Sequence, residues 1–385
     1  MISHGTQPKQ PTMPFAELSA VKHRLLIGAP LPFSVRNADQ TLLLARGNVV
    51  HSQEQLEALF QRGALVDIAE LQSPRDHILL APRALLPELW SQAMTRLGSA
   101  LQDADAPTFR EALGEAAEPV QSLVERDPDL AIFQVLRQGA GADLAYGAQR
   151  SLQTAITSLL VAMRMGWEPA DAERAFKVAL TMNLSMLELQ GQLSRQSGLP
   201  SPEQRTQLQT HPMRSVRLLE TAGIRDEDWL RAVLQHHECE DGSGYPSGTT
   251  TVGQLASLVR RSDVYTSKLA SRSNRDAMAA DMAGRQMFMQ DPGHPMTAAL
   301  VKEFGIYPPG CHVRLASGEL AVVVARGEVI TAPIVACLTN ARGIPLVEPV
   351  RRETTDKAHA VVGVVGERSV TARQPLDRLL AALAA

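Results

Sequence analysis

The chain has 385 residues, too many for one ordinary hydrophobic core, so two or three domains are expected. With 44% hydrophobic and 21% charged residues it can bury a sizeable core, while a formal net charge of −3 excludes a global field that would draw it onto a nucleic-acid polymer or an anionic membrane. No run approaches the roughly 18 uninterrupted apolar residues of a membrane span, and MISHGTQPKQPTMPF has no apolar export segment, so a cytoplasmic chain without membrane insertion is expected.

Residues 1–22, rich in Pro, Gln, Thr and Ser, predict a mobile tail. From His23 the pattern turns to short apolar runs, HRLLIGAPLPFSV and TLLLARGNVV, which predict strands. A helix follows: Ser52 and Gln55 form a capping-box pair, Leu56, Leu59 and Phe60 give its apolar stripe, and Gly63 is placed to end it. Residues 23–85 are therefore expected as a small α+β module. Residues 86–140 carry two amphipathic helical segments, LPELWSQAMTRLGSALQ and EALGEAAEPVQSLVE, expected to connect modules or to pack on the next one. Helical periodicity continues through 141–306. Beyond Pro308-Pro309-Gly310 the period changes, and 307–385 predicts a β-rich module, with CHVRLASGELAVVVARG as two strands about Ala-Ser-Gly, then IVACL, HAVVGVV and a terminal helix. Cys239, Cys311 and Cys337 are far apart with no C-x-x-C pair, which predicts reduced thiols.

The most informative string is His236-His237-Glu238-Cys239-Glu240-Asp241-Gly242-Ser243-Gly244-Tyr245-Pro246. The helix ahead of it has an apolar stripe of Trp229, Leu230, Val233 and Leu234 that extends to His237, so both histidines are expected at its buried end. Neighbours on a helix point about 100° apart, which suits two adjacent metals better than chelation of one. Taken alone, the histidine pair reads more readily as core residues before a turn, because Gly-Ser-Gly-Tyr-Pro must break any helix.

As a whole, the string resembles the signature of the HD-GYP family, bacterial phosphodiesterases of the HD superfamily that open cyclic di-GMP. Thr210-His211-Pro212 resembles that family's middle histidine segment, and Arg261-Ser262-Asp263-Val264-Tyr265 its late metal-binding aspartate. Arg272 and Arg275 fall where the family has a pair of arginines; with Lys268 they form a basic face open to two readings, a grip on phosphate or a solvated helix surface. GIYPPGCHVRLASGELAVVV is similar to the β-rich extension of many members, and 23–68 to a module often fused ahead of the domain. The fold implied is mainly α, an all-helical HD-type domain flanked by a small α+β module and a β-rich C-terminal module.

The departures are as informative. Arg150 stands at the family's first histidine, Asn183 and Leu184 stand at its His-Asp pair, and Leu187 replaces a lysine. No shift of alignment recovers the pair, because 144–210 contains no histidine. In the family that aspartate bridges two cations that activate water, so the resemblance implies an incomplete centre. His211, His236, His237 and Asp263 remain as metal ligands, for one divalent transition metal (Fe, Mn or Zn) or for none. Leu184 is expected on one helical stripe with Phe176, Leu180 and Leu187, with Asn183 on the same face.

Glu238 and Asp241 are the candidate catalytic carboxylates. Arg150 has two placements: paired with Asp263 where a metal is missing, or in solvent among Tyr146, Thr154 and Thr157. Gly244, Tyr245 and Pro246 are implied contacts for partner proteins, including diguanylate cyclases (GGDEF proteins), although Tyr245 could instead pack on its own domain. The expected function is regulation with little or no hydrolysis, by binding cyclic di-GMP, a related cyclic dinucleotide or a partner protein, in a chain open to forming a homodimer; an active phosphodiesterase on a reduced metal site is the alternative.

Overall fold

The structure, a computed structural model, describes residues 15–71, 73–136, 143–270, 273, 277–366, 369–370, 372, 374 and 378–379. The chain divides into two compact units, Met1–Leu80 and Ala81–Ala385.

The first unit contains β1 (Phe15–Glu17), β2 (Val35–Arg36), β3 (Leu42–Leu44), α1 (Gln53–Gln61), β4 (Leu65–Asp67), α2 (Ile68–Leu71) and α3 (Pro74–Leu80). Its antiparallel sheet has the order β1-β4-β2-β3. Ser52 caps α1 by accepting from Gln55 N at 3.2 Å, and Gly63 ends it at φ 63°. Leu18, Phe33, Val35, Leu56 and Val66 form the core.

Three expectations differ from what this unit shows. Residues 15–22 are not tail, since β1 pairs with β4 and Leu18 and Val21 lie in the core. Leu18–Arg24 is a 3-10 helix rather than the start of a strand, because a short apolar run serves a buried turn of helix as well as it serves a strand. The unit ends at Leu80, five residues before the expected boundary at 85.

The second unit opens with α4 (Leu86–Gln102), α5 (Phe109–Arg126) and α6 (Pro128–Leu136). These helices pack on α7 (Asp143–Arg164), so 86–136 is part of the helical body and not a separate connector. α7 is the axis of the unit, and every residue from Ser151 to Ala162 is buried. Around it lie α8 (Pro169–Thr181), α9 (Leu187–Arg195), α10 (Pro202–Thr221), α11 (Glu227–Gln235), α12 (Gln254–Leu269), α13 (Ala280–Gln290) and α14 (Pro295–Phe304). Gly147 lets α7 meet the start of α9: a Cβ there would lie 2.2 Å from the Leu187 carbonyl oxygen, so no larger residue fits without displacing backbone.

After α14 come β5 (His312–Leu315), β6 (Leu320–Ala325), β7 (Ile334–Thr339), β8 (Pro345–Glu353) and β9 (Val361–Val365). They form one antiparallel sheet in the order β8-β7-β6-β5-β9. The expected strands are present, and β8 is an additional one. The expected terminal helix lies mostly outside the described residues.

The sheet is fastened to the helices by ion pairs. Arg326, just past β6, donates to Asp129 of α6 and, at 2.9 Å, to Glu303 of α14, which also accepts from Arg164 of α7. The architecture is mainly α with flanking α+β and β-rich parts, and the helices and the C-terminal sheet form one compact unit. Among the described residues no helix is long and apolar enough to cross a membrane. All three cysteines are free, and burial first of all pushes the Cys337 thiol up to about 12.

Candidate metal centre

His211 lies inside α10, which starts on a capping box at Ser201 and Gln204 and continues through Pro212. Proline has no N–H, so Pro212 cannot donate to the carbonyl four residues back, that of Leu208. The vacant acceptor is taken by the His211 ring, whose Nδ1 lies 2.6 Å from Leu208 O.

His236 reaches the same arrangement by another route. α11 begins on Asp226, which accepts from Trp229 N at 3.0 Å, and ends at Gln235, so its last carbonyls lack helical partners. His236 Nδ1 lies 2.6 Å from one of them, Val233 O. In both rings the Nδ1 proton is thereby committed to backbone, and the Nε2 lone pairs face each other 3.0 Å apart. Two lone pairs in that relation need a cation or a proton between them. Nitrogens sharing one tetrahedral zinc at about 2.1 Å lie roughly 3.4 Å apart, so a shared cation would part these two by a few tenths of an ångström.

His237 completes the cluster, with the ligand atoms of His211, His236 and His237 all within 4.8 Å of one another. α11 ends at Gln235, before the two histidines, and their rings lie with centroids 4.1 Å apart, within reach of a single ion. His211 and His236 are buried, and His237 is half-buried. Burial first, then the neighbouring His236, lowers His211 to about 3; burial and His211 bring His237 to about 3; burial and His237 hold His236 well below its ordinary value. The rings are therefore neutral near pH 7, the state that binds metal.

The loop after His237 folds back on it. Tyr245 N donates to His237 O at 3.2 Å, and the Tyr245 ring stacks on the imidazole with centroids 4.6 Å apart at 19°. Gly244 permits this approach, since a Cβ there would sit 2.4 Å from His237 O and 2.5 Å from Cys239 N. Glu238, one of the two carboxylates considered for catalysis, is buried and accepts from Ser247 N at 2.6 Å and Thr249 N at 3.2 Å. Its role here is to staple the loop. Asp241, the other, is exposed and accepts from Ser243 N and Oγ in a turn. Tyr245 is half-buried against His237, so of the expected partner contacts only Pro246 is exposed.

Glu240 anchors the loop to α12. It accepts from Ser257 Oγ at 2.6 Å, Arg260 at 3.1 Å and Arg261 at 2.9 Å, and Arg261 in turn donates to Asp291 at 2.7 Å. Partial burial would raise the Glu240 carboxyl, but the bonds from Ser257 and Arg261 outweigh it and bring the group down to about 2 from an ordinary 4.5. A lowered folded value means the stabilisation is full above pH 4.5 and is lost as pH falls toward 2. Glu240→Gln is expected to flatten the stability profile across that window, measured by urea unfolding at a series of pH values. A profile matching the parent chain would show that the latch contributes nothing.

Asp263 is not in the histidine cluster. Its Oδ1 lies 3.7 Å from the Arg150 guanidinium and 3.4 Å from Thr154 Oγ1. Arg150 is 7% exposed, which removes the solvent placement, and it also donates to Gln153 Oε1, Thr266 O and Thr266 Oγ1 at 3.1, 2.8 and 3.2 Å.

The Asn183-Leu184 segment also differs from expectation. α8 stops at Thr181, Leu184–Met186 is a separate 3-10 turn and Leu187 opens α9, so the expected single stripe does not exist. Asn183, Leu184 and Leu187 are nevertheless all buried, and Asn183 Oδ1 has no hydrogen-bond partner among the described residues. Among the described residues, three imidazoles and no carboxylate converge within 4.8 Å, a donor set that suits one cation. Lys268 donates to Gln286 at 2.9 Å, bridging α12 and α13, while Arg272 and Arg275 lie outside the described residues.

Sequence reasoning missed Arg260, Arg261 with its partner Asp291, and the Gln153, Thr154 and Thr266 shell of Arg150. A signal for the last was present, because QRSLQTAITS places polar side chains all round a helix that is otherwise core.

Residues 141–284 match the family described as HD domain. The match covers rather more than a third of the chain. A curated relative, Cyclic di-GMP phosphodiesterase PA4108 of Pseudomonas aeruginosa, is 26% identical over 285 residues, which cover 72% of this chain and 66% of the relative, just short of two thirds of its length. A solved structure, that of Bd1817, an HDG"Y"P protein from Bdellovibrio bacteriovorus, aligns over 75% of this chain and 98% of that one with a TM-score of 0.48 and 13% identity. The segment similar to HD domains carries His211, His236, His237 and Asp263, and among the described residues the group that could hold a metal is the three imidazoles.

Proposed function

We propose that this HD-domain protein is a cyclic di-GMP signalling protein of the HD-GYP kind, whose centre holds one divalent transition metal and binds the cyclic dinucleotide with little or no hydrolysis. The observation that carries this reading is the composition of the centre: three converging imidazoles and no carboxylate among them. A single cation on neutral histidines can bind an anionic phosphodiester. Hydrolysis by paired cations needs a shared carboxylate to hold them about one activated water, and leucine occupies the position where the family resemblance implies that group. The name of the Pseudomonas relative supports the ligand class, and the metal, Fe, Mn or Zn, follows from the imidazole donors. A diguanylate cyclase partner docking on the loop would meet Pro246 and Ser247, which are exposed, before the ring of Tyr245.

The test is calorimetric titration of cyclic di-GMP into metal-loaded protein beside a product assay. Saturable binding with the dinucleotide recovered intact is the expected result. Turnover that disappears in His236→Ala would establish instead an active phosphodiesterase with a reduced metal site. Neither binding nor turnover would end the nucleotide reading.

A further inference from the structure

The helical body holds a cavity that the histidine cluster does not use. It has a volume of about 480 Å³, within the range of small-molecule sites, and lies between α5, α8 and the turn that joins α10 to α11. Leu113, Ile224 and Trp229, all buried, give it an apolar wall, and the Trp229 indole asks for no polar partner there because its N–H donates to Thr181 Oγ1 at 2.9 Å. The two carboxylates of the wall are already answered: Glu173 accepts from Lys177, and Asp226 accepts from Arg174 at 2.9 Å. Arg225 differs. One of its terminal nitrogens donates to Glu220 O at 2.6 Å and to Ile224 O at 2.9 Å, which fixes the guanidinium, and among the described residues no carboxylate forms an ion pair with it. An apolar wall therefore adjoins a held cation that keeps donors to spare, in the planar fork that suits an oxyanion. Gly114 is a second, independent mark. It stands inside α5, where glycine is a poor helix former, it lines the same cavity, and a Cβ built on it would meet nothing within 4 Å. Helix packing gives no reason for a glycine there; keeping the cavity open gives one.

We propose that this cavity binds a small aromatic oxyanion, with its flat apolar body against Leu113, Ile224 and Trp229 and its charge on the Arg225 guanidinium. The wall supplies apolar area for the ring, and with Glu173 and Asp226 neutralised by their own partners it does not repel the anion. No lining residue belongs to the histidine cluster, so the site stands or falls independently of the metal reading.

The test is calorimetric titration of α-naphthyl phosphate into the full chain in EDTA, which keeps metal off the histidines, with α-naphthol as the uncharged probe of similar shape. Saturable binding of the phosphate at a single site is expected, tighter than that of the naphthol. Arg225→Gln is expected to weaken the phosphate about tenfold and to leave the naphthol unmoved. Gly114→Leu puts a side chain into the open space, on a helix that accepts leucine better than glycine, and is expected to abolish binding of both probes with no loss of helix by circular dichroism. Should that variant fail to fold, Gly114→Ala takes its place, with both probes weakened. The proposal is overturned by an absence of saturable binding, by binding that survives the Gly114 substitution, or by an Arg225→Gln effect equal on the two probes.

Discussion

Replacing His236 by alanine is expected to weaken binding of Zn²⁺ or Mn²⁺ by about 100-fold or more, and to leave the fold of the helical body in place. Even groups that only orient a metal ligand typically change affinity 10- to 100-fold when removed, so loss of a ligand itself exceeds the lower figure. Here the loss removes one of three donors, and it also removes the nitrogen that faces His211 Nε2 at 3.0 Å. Two imidazoles then remain, too few to hold a divalent ion against solvent. The fold is spared because His236 lies past the end of α11, and its Nδ1 bond to Val233 O is one that water can replace. Competition with a chromophoric chelator reads the affinity, and circular dichroism reads the fold. Retention of near-parental affinity would mean that the convergence of the three rings is packing and nothing more.

Arg326→Ala is expected to be the most damaging substitution far from the histidines, costing about 3 kcal/mol. The side chain joins two acids that are largely buried, Asp129 at 18% exposure and Glu303 at 8%. Truncation strands both negative charges, and breaking a buried pair by removing one partner costs about 3 to 5 kcal/mol. The lower end applies, because Glu303 keeps Arg164 and Asp129 Oδ2 keeps the backbone N–H of residue 326 at 3.0 Å. Scanning calorimetry is expected to show the transition of residues 81–385 lowered by roughly 6–10 °C, with that of the first unit unmoved. A loss under about 1 kcal/mol would show that solvent already compensates the acids.

Much of the helical body was legible because its signals are local. The caps at Ser201 and Asp226, the stripe of α11 and the β5–β6 turn each depend on residues a few positions apart. The string from His236 to Pro246 was legible as a candidate site for the same reason. The geometry that makes it a site was not, because His211 is brought in from 25 positions away and the latch joins Glu240 to Ser257 and Arg261, and Arg261 to Asp291, across intervals that no periodicity encodes. β8 escaped notice because PLVEPVRRE carries two prolines and many charges, a composition that a strand tolerates at a sheet edge, and β8 is such an edge. The end of α8 escaped because Leu184 and Leu187 keep the apolar character of the stripe after the backbone has left it.

The fold-back of the Gly-Tyr-Pro segment has a mechanical corollary. Tyr245 is tied to His237 twice, by its backbone N–H and by its ring, and Glu238 ties the far side of the same loop to the residue next door. A displacement of the outer rim of that loop is therefore passed to an imidazole, and under the proposed function a partner on the rim and a cation on the rings would feel each other through it.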